Sequence, residues 1–212
     1  MPATINRLHD RVIAIVKGSL CGKESGCMAR LRDRIIDFIY RKATMRGEHH
    51  GLLTVLGGLF FSGAVLFIIF LALLSDKLLG LHAWPPSPAN LILSIPLLAA
   101  GIWLWLWSVL IFIKSRGTPV PLSPPPKLVD TGPYTYSRNP MLSGVFLMLF
   151  GVGFLFQLLS LVIIYTPLFM VLTFLEFKMI EEPELEKRLG AAYVEYRKKV
   201  PMFFPYPGHG KH

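Results

Sequence analysis

Two polar clusters bracket a long uncharged stretch of this chain. Before it runs Gly132-Pro133-Tyr134-Thr135-Tyr136-Ser137-Arg138-Asn139-Pro140, and after it Glu181-Glu182-Pro183-Glu184. Brought to one place, they would set a fixed cation, hydrogen-bonding aromatics, a helix N-terminus and paired carboxylates around one pocket. Such a pocket suits a charged small molecule acting on a membrane-borne partner. Asn139-Pro140 reads as an N-cap followed by proline at the first helical position. The unpaired N–H groups and positive dipole end of that helix can hold an anion such as a carboxylate. Arg138 adds a charge that engages a carboxylate in fork geometry. Of the adjacent Glu181 and Glu182, one can face inward toward a cation or ribose hydroxyls.

The clusters meet only if the intervening chain returns to the side it left. The chain of 212 residues is 53% hydrophobic and 17% charged, with a mean hydropathy of +0.52. That is too apolar for an ordinary soluble domain. Residues 51–75 and 89–113 carry no charge, and each is long enough to cross a hydrocarbon core that needs about 20 apolar residues. The uncharged run 141–175 would make a single helix of roughly 52 Å, well beyond a core of about 30 Å. It must fold back, and the polar pair Gln157 and Ser160 marks the bend. Pro167 kinks the second arm rather than ending it, because neighbouring helices satisfy the freed backbone groups. The expected fold is all-α and integral to the membrane, with four transmembrane helices, the third and fourth forming a tight hairpin.

Charge fixes the expected orientation. Residues 1–50 hold ten Lys/Arg against five acids, and the 114–140 loop holds four against one. By the positive-inside rule both termini and that loop face the cytoplasm of what is expected to be a bacterial cell membrane. Basic flanks beside anionic headgroups account for the net charge of +9, and no nucleic-acid recognition motif accompanies it. Residues 1–48 form an appendage of basic amphipathic helices, preceding a membrane-embedded domain over 49–212. Cys21 and Cys27 lack a second pair or a histidine at ligand spacing, so they read as free thiols and no metal site is expected. No secretory signal precedes them, since the first apolar core begins near residue 51. The proline-rich 117–127 segment is a stiff, extended connector suited to walling a pocket. After Pro183, Leu185, Leu189, Tyr193, Tyr196 and Val200 line one face of an amphipathic helix that closes the pocket. Gly151 suits close helix packing, while Gly144 and Gly153 suit either packing or ligand contact.

The ordered set G-x-P-x-P, then G-P-Y-x-Y-x-R-N-P-M with Gly144, then the hydrophobic stretch, then E-E-x-x-L-x-x-x-x-G-x-x-Y-x-x-Y with Val200-Pro201 resembles one enzyme family. It is similar to the integral-membrane methyltransferases that include isoprenylcysteine carboxyl methyltransferase and the phospholipid methyltransferases. The resemblance covers roughly 114–205. It implies S-adenosylmethionine as cofactor and a lipophilic or lipid-linked acceptor entering from the bilayer: a carboxylate, an amine or a thiol. Tyr134, Arg138, Asn139, Pro140, Gly144, Glu181, Glu182, Tyr196 and Arg197 are the implied cofactor-site residues. Many relatives carry His at the position of Asn139 and Tyr at that of Leu142. Methyl transfer from a sulfonium demands positioning and exclusion of water more than a strong base, so no catalytic residue is assigned. An NADPH-dependent reductase of a sterol-like lipid and a non-enzymatic membrane adaptor are the competing readings.

Overall fold

The computed structural model describes residues 32–41, 50–81, 84–115 and 128–203, with the side chains of 50–54 outside that set. Expectations for the first amphipathic helix, for Cys21 and Cys27 and for the proline-rich connector lie outside the described residues. The rest is all helical. Helix α1 spans 32–41, α2 His50–Leu79, α3 Ala89–Lys114 and α4 Pro140–Leu155; α5 is Thr166–Glu176, α6 Glu182–Leu189 and α7 Ala191–Lys199. A 3₁₀ turn at Gly132–Thr135 precedes α4, and π turns at Leu161–Tyr165 and Phe177–Glu181 flank α5.

Among the described residues, three helices are long and apolar enough to cross a membrane: Val55–Leu79, Ala89–Lys114 and the run Leu161–Leu189. Helix α4 has 16 residues, a rise of about 24 Å, short of a core of about 30 Å. It ends at Leu155, and the chain turns through Gln157, whose φ of 57° lies in the left-handed region. Polar contacts from α2 and the α3 entrance hold that turn. Ser160 N donates to Asp76 Oδ1 at 3.0 Å and Ser160 Oγ to the Ala72 carbonyl at 3.1 Å, while Gln157 Nε2 donates to the Pro85 carbonyl at 2.8 Å. After the turn, Val162 meets Gly153, Phe169 meets Phe146 and Glu182 meets Arg138.

Lipid is as apolar as leucine, so helices in it associate through close van der Waals packing and polar contacts. Helix α3 presents Ser94, Gly101 and Ser108, all buried, at seven-residue spacing. Gly144 and Gly151 of α4 answer them. A Cβ on Gly101 would lie 2.8 Å from the Gly144 carbonyl, one on Gly144 2.8 Å from the Gly101 carbonyl, and one on Gly151 2.7 Å from Leu98 Cγ. Below this crossing Val145, Leu149, Leu158 and Leu161 form a core with Ala72.

Because the obstacle at Gly144 is backbone rather than a flexible side chain, Gly144→Ala must separate α3 from α4. Thermal unfolding in detergent should show a loss of about 1–3 kcal/mol. Gly58→Ala, with nothing within 4 Å of the new methyl, should leave stability unchanged or slightly raised.

Candidate functional site

Five segments converge at one end of the helices: the 3₁₀ turn, the start of α4, the second π turn with α6, helix α7, and a strap at 200–203. Gly132 (φ +62°) makes the entry to the 3₁₀ turn possible, and Gly190 (φ +61°) lets α7 break away from α6. Helix α4 begins as its sequence dictates, with Pro140 in its first turn and the Asn139 side chain accepting from Leu142 N at 3.3 Å. The strap then covers that start. Arg138 N donates to the Pro201 carbonyl at 2.8 Å and Asn139 N to the Met202 carbonyl at 2.9 Å. Ser137 Oγ reaches the Met202 carbonyl at 3.0 Å and Ser143 Oγ the Phe203 carbonyl at 2.9 Å. The Phe203 ring rests edge-on against Phe146, with centroids 5.3 Å apart.

Arg138 lies at the centre. Its Nη1 pairs with Glu182 Oε1, each side chain only 10% exposed, and also reaches the Tyr193 hydroxyl at 3.3 Å. Its Nε donates to the Val200 carbonyl at 2.9 Å, and its guanidinium sits 5.9 Å from the Phe177 ring centre. The π turn explains why Glu182, not Glu181, is the partner. In an α-helix Phe177 would share its face with the residue four positions on, Glu181. In a π turn, with its i to i+5 bonding, the shared face passes to the fifth residue. Phe177 and Glu182 are accordingly both buried against Arg138.

Around this pair, Arg197 Nη1 lies 3.0 Å from Glu186 and 3.9 Å from Glu182, and Arg188 Nε bonds buried Glu184 at 2.9 Å. Tyr196 donates its hydroxyl to the Tyr134 carbonyl at 2.6 Å, and the Tyr134 ring lies 5.1 Å from Phe112 of α3. Burial pushes the Tyr134 phenol above its ordinary range, helped by Tyr196 and by the nearby charge of Glu181. Burial likewise raises Tyr196, and raises Tyr193 to about 12 against the opposing pull of Arg138. All three are neutral donors at physiological pH.

Of the residues expected at a site, Tyr134, Arg138, Asn139, Pro140, Glu181, Glu182, Tyr196 and Arg197 all lie on these converging segments. Gly144 does not join them, because its open face is filled by Gly101 and Trp105 of α3. Sequence reasoning missed Phe177, whose role depends on the π turn, the Arg188–Glu184 pair, and the carbonyls of the strap. Two ionisable groups keep capacity for a ligand. Among the described residues Arg138 Nη2 has no hydrogen bond and the Glu181 carboxylate has no hydrogen-bond or ion-pair partner.

Residues 89–192, from the start of α3 into α7, match the family model of phospholipid methyltransferases. Over that segment, just under half of the chain, the protein is homologous to the phospholipid methyltransferases. Curated proteins and solved structures yield no match. That homology makes the protein a membrane-embedded, S-adenosylmethionine-dependent methyltransferase with a lipid-associated acceptor. The matched segment contains Tyr134, Arg138, Glu181 and Glu182, while α2, Tyr193, Tyr196, Arg197 and the strap lie outside it.

The donor set suits the cofactor. S-adenosylmethionine supplies an electrophilic methyl on a sulfonium and carries a carboxylate and an ammonium at its amino-acid end. The methyltransferase offers one unengaged guanidinium N–H group and one unpaired carboxylate at the same end of its helices.

Two outcomes follow from this geometry. Arg138→Ala leaves Glu182 buried without its counter-charge, and unfolding should show a loss of about 3–5 kcal/mol, most of it recovered by the double variant Arg138→Met/Glu182→Leu. For the tyrosines, the unfolded chain ionises near the ordinary value of 10.0 while the folded sites stay protonated. The unfolded state then binds fewer protons, so stability present below that pH is lost as pH rises above it. Thermal unfolding across that range should show the decline, and Tyr196→Phe should reduce it.

Proposed function

We propose that the methyltransferase binds S-adenosylmethionine at the cytoplasmic ends of its helices, between Arg138, Glu181, Tyr134 and α7, and methylates a lipid-linked acceptor presented from the bilayer. The observation that carries this reading is the pairing of Arg138 with Glu182 while adjacent Glu181 stays unpaired. Arg138 Nη2 and the Met141 end of α4 would take the cofactor's carboxylate, Glu181 its ammonium, and the neutral tyrosines would shield the transferring methyl from water. Asn139 and Pro140 shape the α4 end, and Arg197 keeps Glu182 and Glu186 neutralised.

In this reading four helical arms cross the membrane. The short α4 and the run 161–189 form a hairpin, and the local bilayer thins toward α4 or the arm is capped by the polar turn at 156–160. Orientation follows from charge: Lys114, Arg138, Lys187, Arg188 and the Arg197–Lys199 run all lie at one end, with Asp76 and Lys77 at the other. The basic end faces the cytoplasm. We assign residues 1–48 to an appendage, whose described helix α1 is joined to α6 by Lys187 Nζ, 2.6 Å from Asp37 Oδ1 and 4.8 Å from the Tyr40 ring centre.

Titration of the purified protein with S-adenosylhomocysteine and with NADPH tests this. Saturable binding of the first alone is expected. Glu181→Gln, which preserves shape and leaves the Arg138–Glu182 pair intact, should weaken it about 10- to 100-fold, the loss of one charged hydrogen bond. Binding of NADPH only, binding of neither, or an unchanged affinity in Glu181→Gln would defeat the assignment.

A further inference from the structure

Helix α1 divides its charges between two faces. Asp33, Ile36, Asp37 and Tyr40 succeed one another at spacings of three and four and make one face, while Arg34, Ile35, Phe38 and Arg41 make the other. The first is turned to α6, where Lys187 Nζ lies 2.6 Å from Asp37 Oδ1 and 4.8 Å from the Tyr40 ring centre, and Ile36 is buried. Both acids of the helix are on that face, and Asp33 also binds Arg32 at 3.2 Å. The second face carries no acid. It exposes Ile35 and Phe38 between Arg34 and Arg41.

The contact with α6 is too slight to hold α1 by itself. The helix spans residues 32–41, fewer than the about 12–15 residues that make an isolated helix even marginal in water. Its ion pair to Lys187 has side chains 46% and 53% exposed, and pairs so open to solvent contribute little. Position along the long helix shows what the other face meets. Lys187 stands 27 residues beyond Ser160 on the nearly continuous run 161–189, about 40 Å along the axis. Ser160 belongs to the turn at the far end, beside Asp76. A bilayer measures about 40–45 Å with its head groups, so α1 is held at the level of the opposite head-group layer. There an apolar stripe enters the acyl boundary, and guanidinium groups beside it meet phosphates in fork geometry. Net attraction for the two arginines comes from anionic lipid, not from a zwitterionic surface.

We infer that α1 is a docking helix for anionic phospholipid, with Ile35 and Phe38 entering the bilayer surface and Arg34 and Arg41 taking lipid phosphates while Asp37 and Tyr40 clasp Lys187 of α6. The inference rests on the membrane topology proposed above and adds to it a dependence on lipid composition. On an anionic surface α1 is fixed from both sides, by lipid and by α6. On a zwitterionic surface only the weak α6 contact remains.

The test uses the full-length protein with Cys21→Ser and Cys27→Ser, carrying one new cysteine labelled with a polarity-sensitive fluorophore, in vesicles of phosphatidylcholine with increasing phosphatidylglycerol. A label at Phe38→Cys should shift to the blue and brighten as phosphatidylglycerol rises, whereas one at Asp33→Cys, on the α6 face, should not follow lipid charge. Arg34→Gln/Arg41→Gln should lower the ratio of immersed to free α1 about 30-fold, the scale of two charges near an anionic surface. Arg34→Lys/Arg41→Lys should restore most of it. A full blue shift at position 38 in phosphatidylcholine alone, or in detergent, would mean a zwitterionic surface or a second copy of the chain and overturn the inference. So would a response at position 33 in place of 38, or one that survives the glutamine substitutions. A label at Leu66→Cys, exposed near the middle of α2, keeps the two readings apart. It should report an apolar environment in every vesicle, and a polar signal there would defeat the membrane topology itself rather than the docking of α1.

Discussion

A buried ion pair, Arg138 with Glu182, holds the functional end of this molecule together. Removing two charges from water is costly, and their attraction offsets that cost only when the remaining donors and acceptors are also satisfied. Each neighbour contributes to that condition. The Val200 carbonyl takes Arg138 Nε, Tyr193 lies against Nη1, Arg197 stands near the second Glu182 oxygen, and the Phe177 ring lies within cation–π reach. Arg138 comes from the start of α4, and every other group comes from residues 177–200, after the membrane-buried run. The pair can form in this environment only when all of them are in place, which makes it a coupling point between the start of α4, the end of the long helix and the C-terminal strap.

What brings the segments there is packing of a kind suited to lipid. The glycine contact between α3 and α4 lets two backbones approach to a distance that any side chain would prevent, and the 3₁₀ turn is seated on α3 through Gly132 and Tyr134. At the other end, Ser160, Gln157 and Asn90 supply polar contacts to the turn after α4. Buried polar contacts there and a buried charge pair at the site fix the two arms at both ends. The apolar middle needs only to be close-packed, as Phe146, Leu149 and Leu161 are.

Much of this was legible in the sequence because its causes are local or compositional. Length and hydropathy gave the long apolar helices, Asn139-Pro140 gave the start of α4, and the polar clusters gave the segments from which a site is built. The glycines of α4 suggested close packing, but their partners Ser94, Gly101 and Ser108 on α3, spaced by sevens, were an available signal left unread. The position of Gly144 in a motif carries no information about which way its open face turns, and that face meets Gly101 and Trp105 of α3. The strap was hidden for a different reason. It works through backbone carbonyls, which every residue has, so side-chain identity at 200–203 marks little beyond the end of α7.

The π turn at Phe177–Glu181 shows why helical periodicity alone does not choose between the two adjacent glutamates. A period of 3.6 places Glu181 under Phe177 and turns Glu182 aside. One extra residue in the turn advances the phase by about 100°, so Glu182 takes the inward position and Glu181 moves to the flank near Tyr134. Two chemically identical neighbours thereby acquire different surroundings: Glu182 is buried against Arg138 and Arg197, whereas Glu181 keeps a carboxylate with no internal partner. In an undistorted helix the carboxylate nearest Arg138 would be Glu181, and the flank beside Tyr134 would lose its free acceptor. The distortion is thus the feature that allows one pair of adjacent acids both to hold the fold and to leave a carboxyl group for a ligand.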